Sequence, residues 1–201
     1  YCHSGSADML ERFTIDSTMN SSPISDRTPT TLVDSDDNLW SFNYEYDSST
    51  TSNLILAHVA PNASSLTNSA GGQIFSGNLD DTAVLTEITL PAGANATGGI
   101  VALHPYLMYF GSDGVIGWSV AGTPSDLTGT GSGIARVWGQ KIVQGLPLRG
   151  SSGPSGLFWA YDAIIRATFV GGSTVWQFDT IATDTSIMSA NSIVDYDGVF
   201  F

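Results

Sequence analysis

The sequence predicts an all-β protein made of antiparallel hairpins, with a repeat pattern like that of a β-propeller. Short apolar runs rich in Val, Ile, Thr and aromatic residues alternate with polar turns, and glycine occurs 22 times in 201 residues. No segment shows the 3.6-residue apolar period of a helix of ordinary length. A hairpin-like unit also recurs along the chain, which is typical of repeat architectures.

One hairpin near the end of the sequence is the clearest element. Ala163–Val170 and Thr174–Ile181 are rich in β-branched and aromatic residues, and Gly171-Gly172-Ser173 lies between them. Two consecutive glycines supply the positive φ angles that a tight hairpin requires. We therefore expect two antiparallel strands joined at Gly171.

The recurring unit consists of a short apolar strand, a polar turn and a strand rich in aromatic residues. Propeller blades recur at about 40–50 residues, and loops absorb longer intervals. We expect the four units to be equivalent innermost hairpins of successive blades; the alternative is a β-sandwich whose hairpins have similar sequences. The four units are Leu32–Phe42, Ile100–Phe110, Phe158–Phe169 and Ile193–Phe201.

The remaining elements follow from the same alternation. Residues 1–30 are polar and contain two prolines, which indicates an irregular arm or loop with one helical turn at Ala7–Arg12; residues 31–201 form the β-propeller-like domain. Because the sequence stops within an expected strand at Val199–Phe201, we expect the chain to be an incomplete fragment of a larger protein. The other expected strands are Leu39–Tyr46, Asn53–Ala60, Gln73–Phe75, Ala83–Leu90, Leu107–Phe110, Val115–Val120, Ile134–Val143 and Ser192–Val194.

The charge of the chain is strongly negative and uneven. The formal net charge is −13, and residues 1–100 carry −10 of it. Such a chain repels duplex DNA and anionic membranes, and no basic patch with interleaved aromatic residues reverses this. No apolar run approaches the roughly 20 residues of a membrane span, so we expect no membrane-spanning helix.

The sequence contains few candidates for catalytic or metal chemistry. The histidines, His3, His58 and His104, do not lie at metal-ligand spacing from one another or from the single cysteine, Cys2. The single lysine, Lys141, lies outside any phosphate-binding loop motif. We therefore predict no catalytic residue, no cofactor and no metal.

A cluster of oxygen ligands, Asp34, Asp36, Asp37 and Asn38, is the strongest candidate for a metal site. These side chains could bind Ca²⁺, but the spacing lacks the glycine and distal glutamate of an EF-hand loop. Asp and Asn are also common in turns. The competing hypothesis of a carbohydrate-active propeller enzyme would use acids such as Asp34, Asp36 or Asp113.

Three tripeptides match the pattern of N-glycosylation acceptors, which is a weak indication in a chain so rich in Asn, Ser and Thr. They begin at Asn20, Asn62 and Asn95.

The second half of the chain resembles a known family. Leu157–Trp159, Ile165–Gly172, Phe178–Ile181, Ile193–Phe201 and the stretch Gly111–Val120 are similar to segments of the β-propeller nozzle or hub proteins of short bacteriophage tails. The resemblance covers about residues 100–201. It implies a structural virion protein without enzymatic activity. It also implies a homo-oligomeric ring, commonly a hexamer, in contact with other tail or portal-adaptor proteins. A receptor-binding adhesin is a further alternative.

If the chain forms such a ring, double-stranded DNA would pass through it without sequence-specific binding. A wall of carboxylates would repel phosphate at short range and keep the duplex from sticking. The alternative is that the acids keep the outer surface soluble. The acids expected to face the channel are Asp34, Asp36, Asp37, Glu45, Asp47, Asp80 and Asp81, and the bases whose presence there would contradict this are Arg136, Lys141, Arg149 and Arg166.

Overall fold

The computed structural model describes residues 2–4, 9–12, 25–30, 39–46, 54–60, 72–78, 83–148, 153–185, 187, 189–196 and 199–200. These residues form an all-β structure of antiparallel strands with two single-turn 3₁₀ segments, which confirms the predicted class. The described strands do not close into a barrel or a propeller ring. Across the described residues, no helix has the length and apolar character needed to cross a membrane.

Sheet 1 is a four-stranded antiparallel meander in chain order. Its strands are β4 (Leu39–Tyr46), β5 (Leu54–Ala60), β6 (Gln73–Asn78) and β7 (Thr86–Ile88). Strands that follow one another in the sequence pair with one another, as is common for consecutive elements.

Sheet 2 repeats this topology. Its strands are β8 (Gly99–Leu103), β9 (Tyr106–Phe110), β10 (Val115–Trp118) and β11 (Gly133–Arg136). All five residues of β9 are buried, because this strand has covered faces on both sides of the sheet. A strand buried on both faces has a continuous apolar sequence rather than an alternating one, and β9 reads YLMYF.

Sheet 3 is the third meander of the same kind. Its strands are β12 (Ile142–Pro147), β13 (Ser155–Ala160), β14 (Ala163–Phe169) and β15 (Trp176–Thr183). The turn between β14 and β15 contains Gly171 and Gly172 with φ angles of 74° and 73°, which confirms the predicted hairpin.

Two smaller sheets flank the three meanders in the sequence. The first contains β1 (Cys2–Ser4), β2 (Met9–Arg12) and β3 (Ser25–Asp26), and the last contains β16 (Asp195–Tyr196) and β17 (Val199–Phe200). The last sheet reaches sheet 3, where the rings of Trp159 and Phe200 have centroids 5.3 Å apart.

Sheet 2 lies between sheets 1 and 3 and forms a core with each. One cluster joins Leu107, Tyr109 and Val115 of sheet 2 to Leu56 and Ile74 of sheet 1. The other joins the opposite face of sheet 2 to sheet 3 and is larger. Its buried members include Leu103, Tyr106, Met108, Phe110, Ile116, Ile142, Phe158, Ile165 and Trp176.

The first strands of the three meanders lie next to one another. β8 contacts β4 on one side and β12 on the other. β8 and β12 run in the same direction, because Gly98 lies against Ile142 near their starts and Leu103 lies against Gly156, the pairing partner of Pro147, near their ends. The sequence therefore folds as a series of sheets whose order in space follows their order in the chain.

The expected equivalence of the four hairpin units is wrong. Ile100–Phe110 forms the first and second strands of sheet 2, whereas Phe158–Phe169 forms the second and third strands of sheet 3. The pattern of an apolar strand, a turn and an aromatic strand arises at any hairpin between two buried faces, so it does not mark a position within a sheet. Of Leu32–Phe42, residues 32–38 lie outside the described part of the chain.

Several local expectations also need correction. Ile134–Val143 is divided between β11 and β12, because the segment 137–141 is a loop that connects sheet 2 to sheet 3. Ser192–Val194 is not a strand, since a 3₁₀ turn at Ala190–Ser192 precedes β16. In the segment 1–30, Met9–Arg12 forms a strand rather than a helical turn, and two further short strands accompany it.

Candidate functional site

The described histidines do not converge on one site. His58 lies on β5 and is buried, whereas His104 is exposed in the turn between β8 and β9. His3 lies in β1, and its side chain is outside the described part. Among the described residues, no group of three or more His, Cys, Asp and Glu side chains could hold a metal ion.

The acids considered for metal binding or catalysis are only partly described. Asp34, Asp36, Asp37 and Asn38 lie outside the described residues. Asp113 is exposed in the turn between β9 and β10, where its φ angle is 57°. Asp and Asn adopt this left-handed conformation more often than other residues with a side chain, so turn geometry accounts for an acid there.

A network of hydrogen bonds connects the loop after sheet 1 to the turn between β9 and β10. The Ser112 backbone N–H donates to Asn95 Oδ1 at 2.7 Å and to Thr97 Oγ1 at 2.9 Å. Asn95 Nδ2 donates in return to the Ser112 carbonyl at 3.1 Å. The Asn95 amide nitrogen, which glycosylation would modify, therefore has a structural role in fixing this turn.

His58 attaches the same loop to sheet 1. Its Nε2 atom is hydrogen-bonded to the carbonyl oxygen of Ala96, so Nε2 carries the proton. Burial lowers the pKa of His58 from 6.5 to about 4; the Ala96 carbonyl opposes this shift, and the charge of Lys141 adds to it. The neutral imidazole is thus a structural donor buried between sheets 1 and 2.

A buried arginine holds the connection between β6 and β7. Arg27 follows β3, and its side chain is fully buried. Its Nε atom donates to the Ala83 carbonyl at 2.6 Å and a terminal nitrogen donates to the Asn78 carbonyl at 2.8 Å, while its own carbonyl accepts from the Leu85 N–H. The arginine therefore ties the segment after β3 to the edge of sheet 1.

The loop 137–141, which joins sheet 2 to sheet 3, carries an exposed tryptophan, and a second exposed aromatic side chain lies in a neighbouring turn. The side chain of Trp138 is 67% exposed, and that of Tyr161, in the turn between β13 and β14, is 46% exposed. The two turns are adjacent, since Gln140 N–H donates to Asp162 Oδ1 at 2.9 Å and Tyr161 N–H donates to the Lys141 carbonyl at 3.1 Å. We call Trp138, Tyr161 and the exposed Arg136 the aromatic rim.

The backbone around the aromatic rim is fixed by further hydrogen bonds. Gly114 N–H donates to the Gln140 carbonyl at 2.7 Å, and Val137 N–H donates to the Gly114 carbonyl at 2.9 Å. Arg136 donates to the Gly93 carbonyl at 3.3 Å. A loop held on both sides in this way presents its exposed side chains with little backbone freedom left to lose on binding.

On the face of sheet 3 turned away from sheet 2, strands β14 and β15 carry polar side chains. Arg166 on β14 and Asp179 on β15 form an ion pair at 3.3 Å. Hydrogen bonds from Gln177 and Arg166 hold the pKa of Asp179 below its ordinary value. The Arg166 side chain is half exposed and that of Asp179 is partly exposed, so solvent screens this ion pair and it contributes little stability.

The structural roles of Arg27 and His58 and the exposure of Trp138 were not predicted from the sequence. Arg27 lies in a segment expected to be an irregular arm, and Trp138 lies in an expected strand. The sequence contained a signal for His58, because a lone histidine inside the apolar strand LILAHVA is placed to be buried. Most of the acids that were expected to face a channel have side chains outside the described part of the chain. Their orientation therefore stays a prediction.

No protein-family model, no curated protein and no solved structure matches this chain.

Proposed function

We propose that the chain is a structural protein of a bacteriophage tail and forms part of the nozzle or hub through which DNA is ejected. The observation that carries the proposal is the succession of three four-stranded antiparallel meanders whose first strands lie side by side. Propeller blades are four-stranded sheets arranged around an axis, with short protected edges. In the proposed architecture, sheets 1, 2 and 3 are successive blades, and β16 and β17 begin another.

The proposed role is architectural rather than catalytic. A channel component needs rigid sheets and subunit contacts, and the described polar groups serve this purpose. His58, Asn95 and Arg27 all make hydrogen bonds to backbone atoms of neighbouring segments, and thereby fix one part of the fold against another. The tail assignment itself is supported by the resemblance of residues 100–201 to nozzle proteins.

The proposed ring places double-stranded DNA in a channel without sequence-specific contacts. The acidic charge of the chain supports passage, because phosphate is repelled by carboxylates and attracted by Lys and Arg. Ring size, commonly six in such proteins, and contacts with other tail or portal-adaptor proteins follow from the same resemblance.

Immunoelectron microscopy tests the proposal. Antibodies raised against the recombinant chain should label the tail tip of tailed virions whose genome encodes the chain. Labelling of the capsid, or labelling confined to host cells without particles, would contradict the proposal. Electron microscopy of the purified chain provides a second measurement, in which closed rings with a central channel are expected.

A further inference from the structure

The contact between sheets 1 and 2 contains a histidine, whereas sheet 3 contains none. His58 follows Leu56 by two residues on β5, so both side chains lie on the same face of sheet 1. Leu56 belongs to the apolar cluster that sheet 1 shares with Leu107 and Tyr109 of sheet 2. His58 is 2% exposed, which places an ionisable ring in one of the two contacts that hold the three sheets together.

The connection between β7 and β8 is fixed to sheet 2 by hydrogen bonds between groups that do not titrate. The Ser112 backbone N–H donates to the side chains of Asn95 and Thr97. The Gly98 N–H donates to the Phe110 carbonyl at 2.9 Å. These bonds join the connection to sheet 2 and its turn, so they persist if sheet 1 moves away.

His58 holds the same connection to sheet 1. Its Nε2–H donates to the Ala96 carbonyl, and Ala96 is itself fully buried in the cluster between the two sheets. The carbonyl also lies close to Gly72, which precedes β6, since a Cβ added to Gly72 would lie 2.5 Å from the oxygen. The imidazole and the carbonyl therefore bond in a site shielded from water.

The described side chains around His58 include no carboxylate that could neutralise an imidazolium there. Strands β5, β6, β8 and β9 and the connection between β7 and β8 contain no Asp, Glu, Lys or Arg. Glu87 on β7 is exposed and accepts from Gln73, and Glu45 on β4 has its side chain outside the described part. Burial lowers the pKa of His58, and the positive charge of Lys141 lowers it further. A protonated ring is therefore stable only where water reaches it.

We propose that the contact between sheets 1 and 2 is an acid-sensitive hinge, at which protonation of His58 separates sheet 1 from sheet 2 and leaves sheets 2 and 3 packed together. The connection between β7 and β8 stays on sheet 2 and forms the pivot. The larger cluster between sheets 2 and 3 consists of aromatic and aliphatic side chains without a histidine, so mild acid leaves it packed. The inference is independent of the proposed function, since it concerns two sheets of a single chain.

Cysteine labelling measures the two contacts separately. Val115 and Val101 are both buried in sheet 2, and they belong to the clusters shared with sheet 1 and with sheet 3, respectively. Val115→Cys and Val101→Cys are therefore matched probes in a Cys2→Ser background, with dithiodipyridine as the reagent because it reacts with thiols in acid. Protection is the labelling rate of each cysteine in the urea-unfolded chain divided by its rate in the folded chain at the same pH.

Between about pH 7.5 and 5, the protection of Val115→Cys should fall about 30-fold, because His58 takes up a proton at its ordinary pKa of 6.5 in the open form and at about 4 in the closed form. In acid it should be at least about tenfold lower than the protection of Val101→Cys, which responds to unfolding of the whole chain. In a His58→Gln background the fall should be less than about threefold, because glutamine keeps the donor and does not titrate.

Equal protection of the two cysteines in acid would overturn the inference, because both contacts would then open together. A fall of undiminished size in the His58→Gln background would contradict it as well, since the titrating group would lie elsewhere. Hydrogen exchange of the unmodified chain is a second readout that needs no cysteine variant. As the pH is lowered, β5 and β6 should lose protection before β13 and β14 do, and the reverse order would exclude the hinge.

Discussion

Acidification should destabilise this protein through His58. The imidazole is buried between sheets 1 and 2, and its Nε2–H donates to the Ala96 carbonyl. In the unfolded chain the histidine takes up a proton below its ordinary pKa of 6.5, whereas in the folded chain it stays neutral down to a pKa of about 4. Between these two values the unfolded state binds more protons, so the free energy of unfolding falls as the pH falls.

The size of this effect follows from the two pKa values. Each unit of difference corresponds to about 1.4 kcal/mol. Relative to neutral pH, His58 should therefore cost the folded state about 2 kcal/mol at pH 5 and about 3 kcal/mol below pH 4. Stability is fully retained above the unfolded pKa of 6.5, where both states are neutral.

Urea unfolding of wild type and His58→Gln at a series of pH values measures the effect. Glutamine can donate to the Ala96 carbonyl but does not titrate, so the variant should lose about 2 kcal/mol less than wild type between about pH 7.5 and 5. His104→Gln is the matched control, because it removes an exposed histidine and keeps the hydrogen bond between His58 and Ala96.

Two results would contradict this reasoning. One is a parallel loss of stability in wild type and His58→Gln, which would assign the pH dependence to other groups. The other is an NMR titration in which the His58 ring protonates near 6.5, which would show that burial does not hold it neutral.

Three further substitutions should destabilise the fold by defined mechanisms. Gly117→Ala should cost about 3 kcal/mol in urea unfolding, because the added Cβ would lie 2.0 Å from the ring of Tyr109. Arg27→Met should cost about 3 kcal/mol, because two backbone carbonyls lose a buried charged donor. Asn95→Ala should cost about 2 kcal/mol and increase amide exchange at Ser112, whose N–H loses the nearer of its two acceptors, at 2.7 Å, and whose carbonyl loses the Asn95 Nδ2 donor.

Each of these substitutions has its own control. Gly153→Ala should leave the free energy of unfolding nearly unchanged in the same assay, because the added Cβ would lie 3.9 Å from the nearest atom outside its chain neighbours, a ring carbon of Phe169. Arg27→Lys should recover part of the free energy of unfolding that Arg27→Met loses. An Arg27→Met variant as stable as wild type would show that the guanidinium is not needed for stability. Asn95→Asp keeps the acceptor for Ser112, so it should be less damaging than Asn95→Ala; the reverse order would contradict the assigned contact.

Local sequence determined much of this fold. The turn at Gly171 and Gly172 could be predicted because two glycines between β-branched runs allow few other structures. The strand β5 and the aromatic strand β9 were likewise evident from apolar runs of strand length. These elements depend on interactions between residues that are close in sequence.

The grouping of strands into sheets could not be predicted in the same way. The segment 134–143 has the apolar pattern of one strand, and it is broken because Gly114 and Gly139 fix a loop against the turns of neighbouring hairpins. Gly139 has a φ angle of 125°, which is specified by tertiary packing rather than by its neighbours in sequence. The burial of Arg27 and the role of Asn95 also depend on contacts between distant segments.

The agreement between chain order and spatial order has a consequence for synthesis. Each meander can pair its strands as soon as its own segment has emerged from the ribosome, and it then finds the preceding sheet already present as a surface to cover. Pairing within a continuous segment has a low loop-closure cost and favours rapid folding. Sheet 2 should gain its full protection from solvent only after β12 to β15 have been made, because one of its faces is covered by sheet 3. Nascent chains stalled before Ile142 and after Thr183 should therefore differ in their resistance to proteolysis at sheet 2.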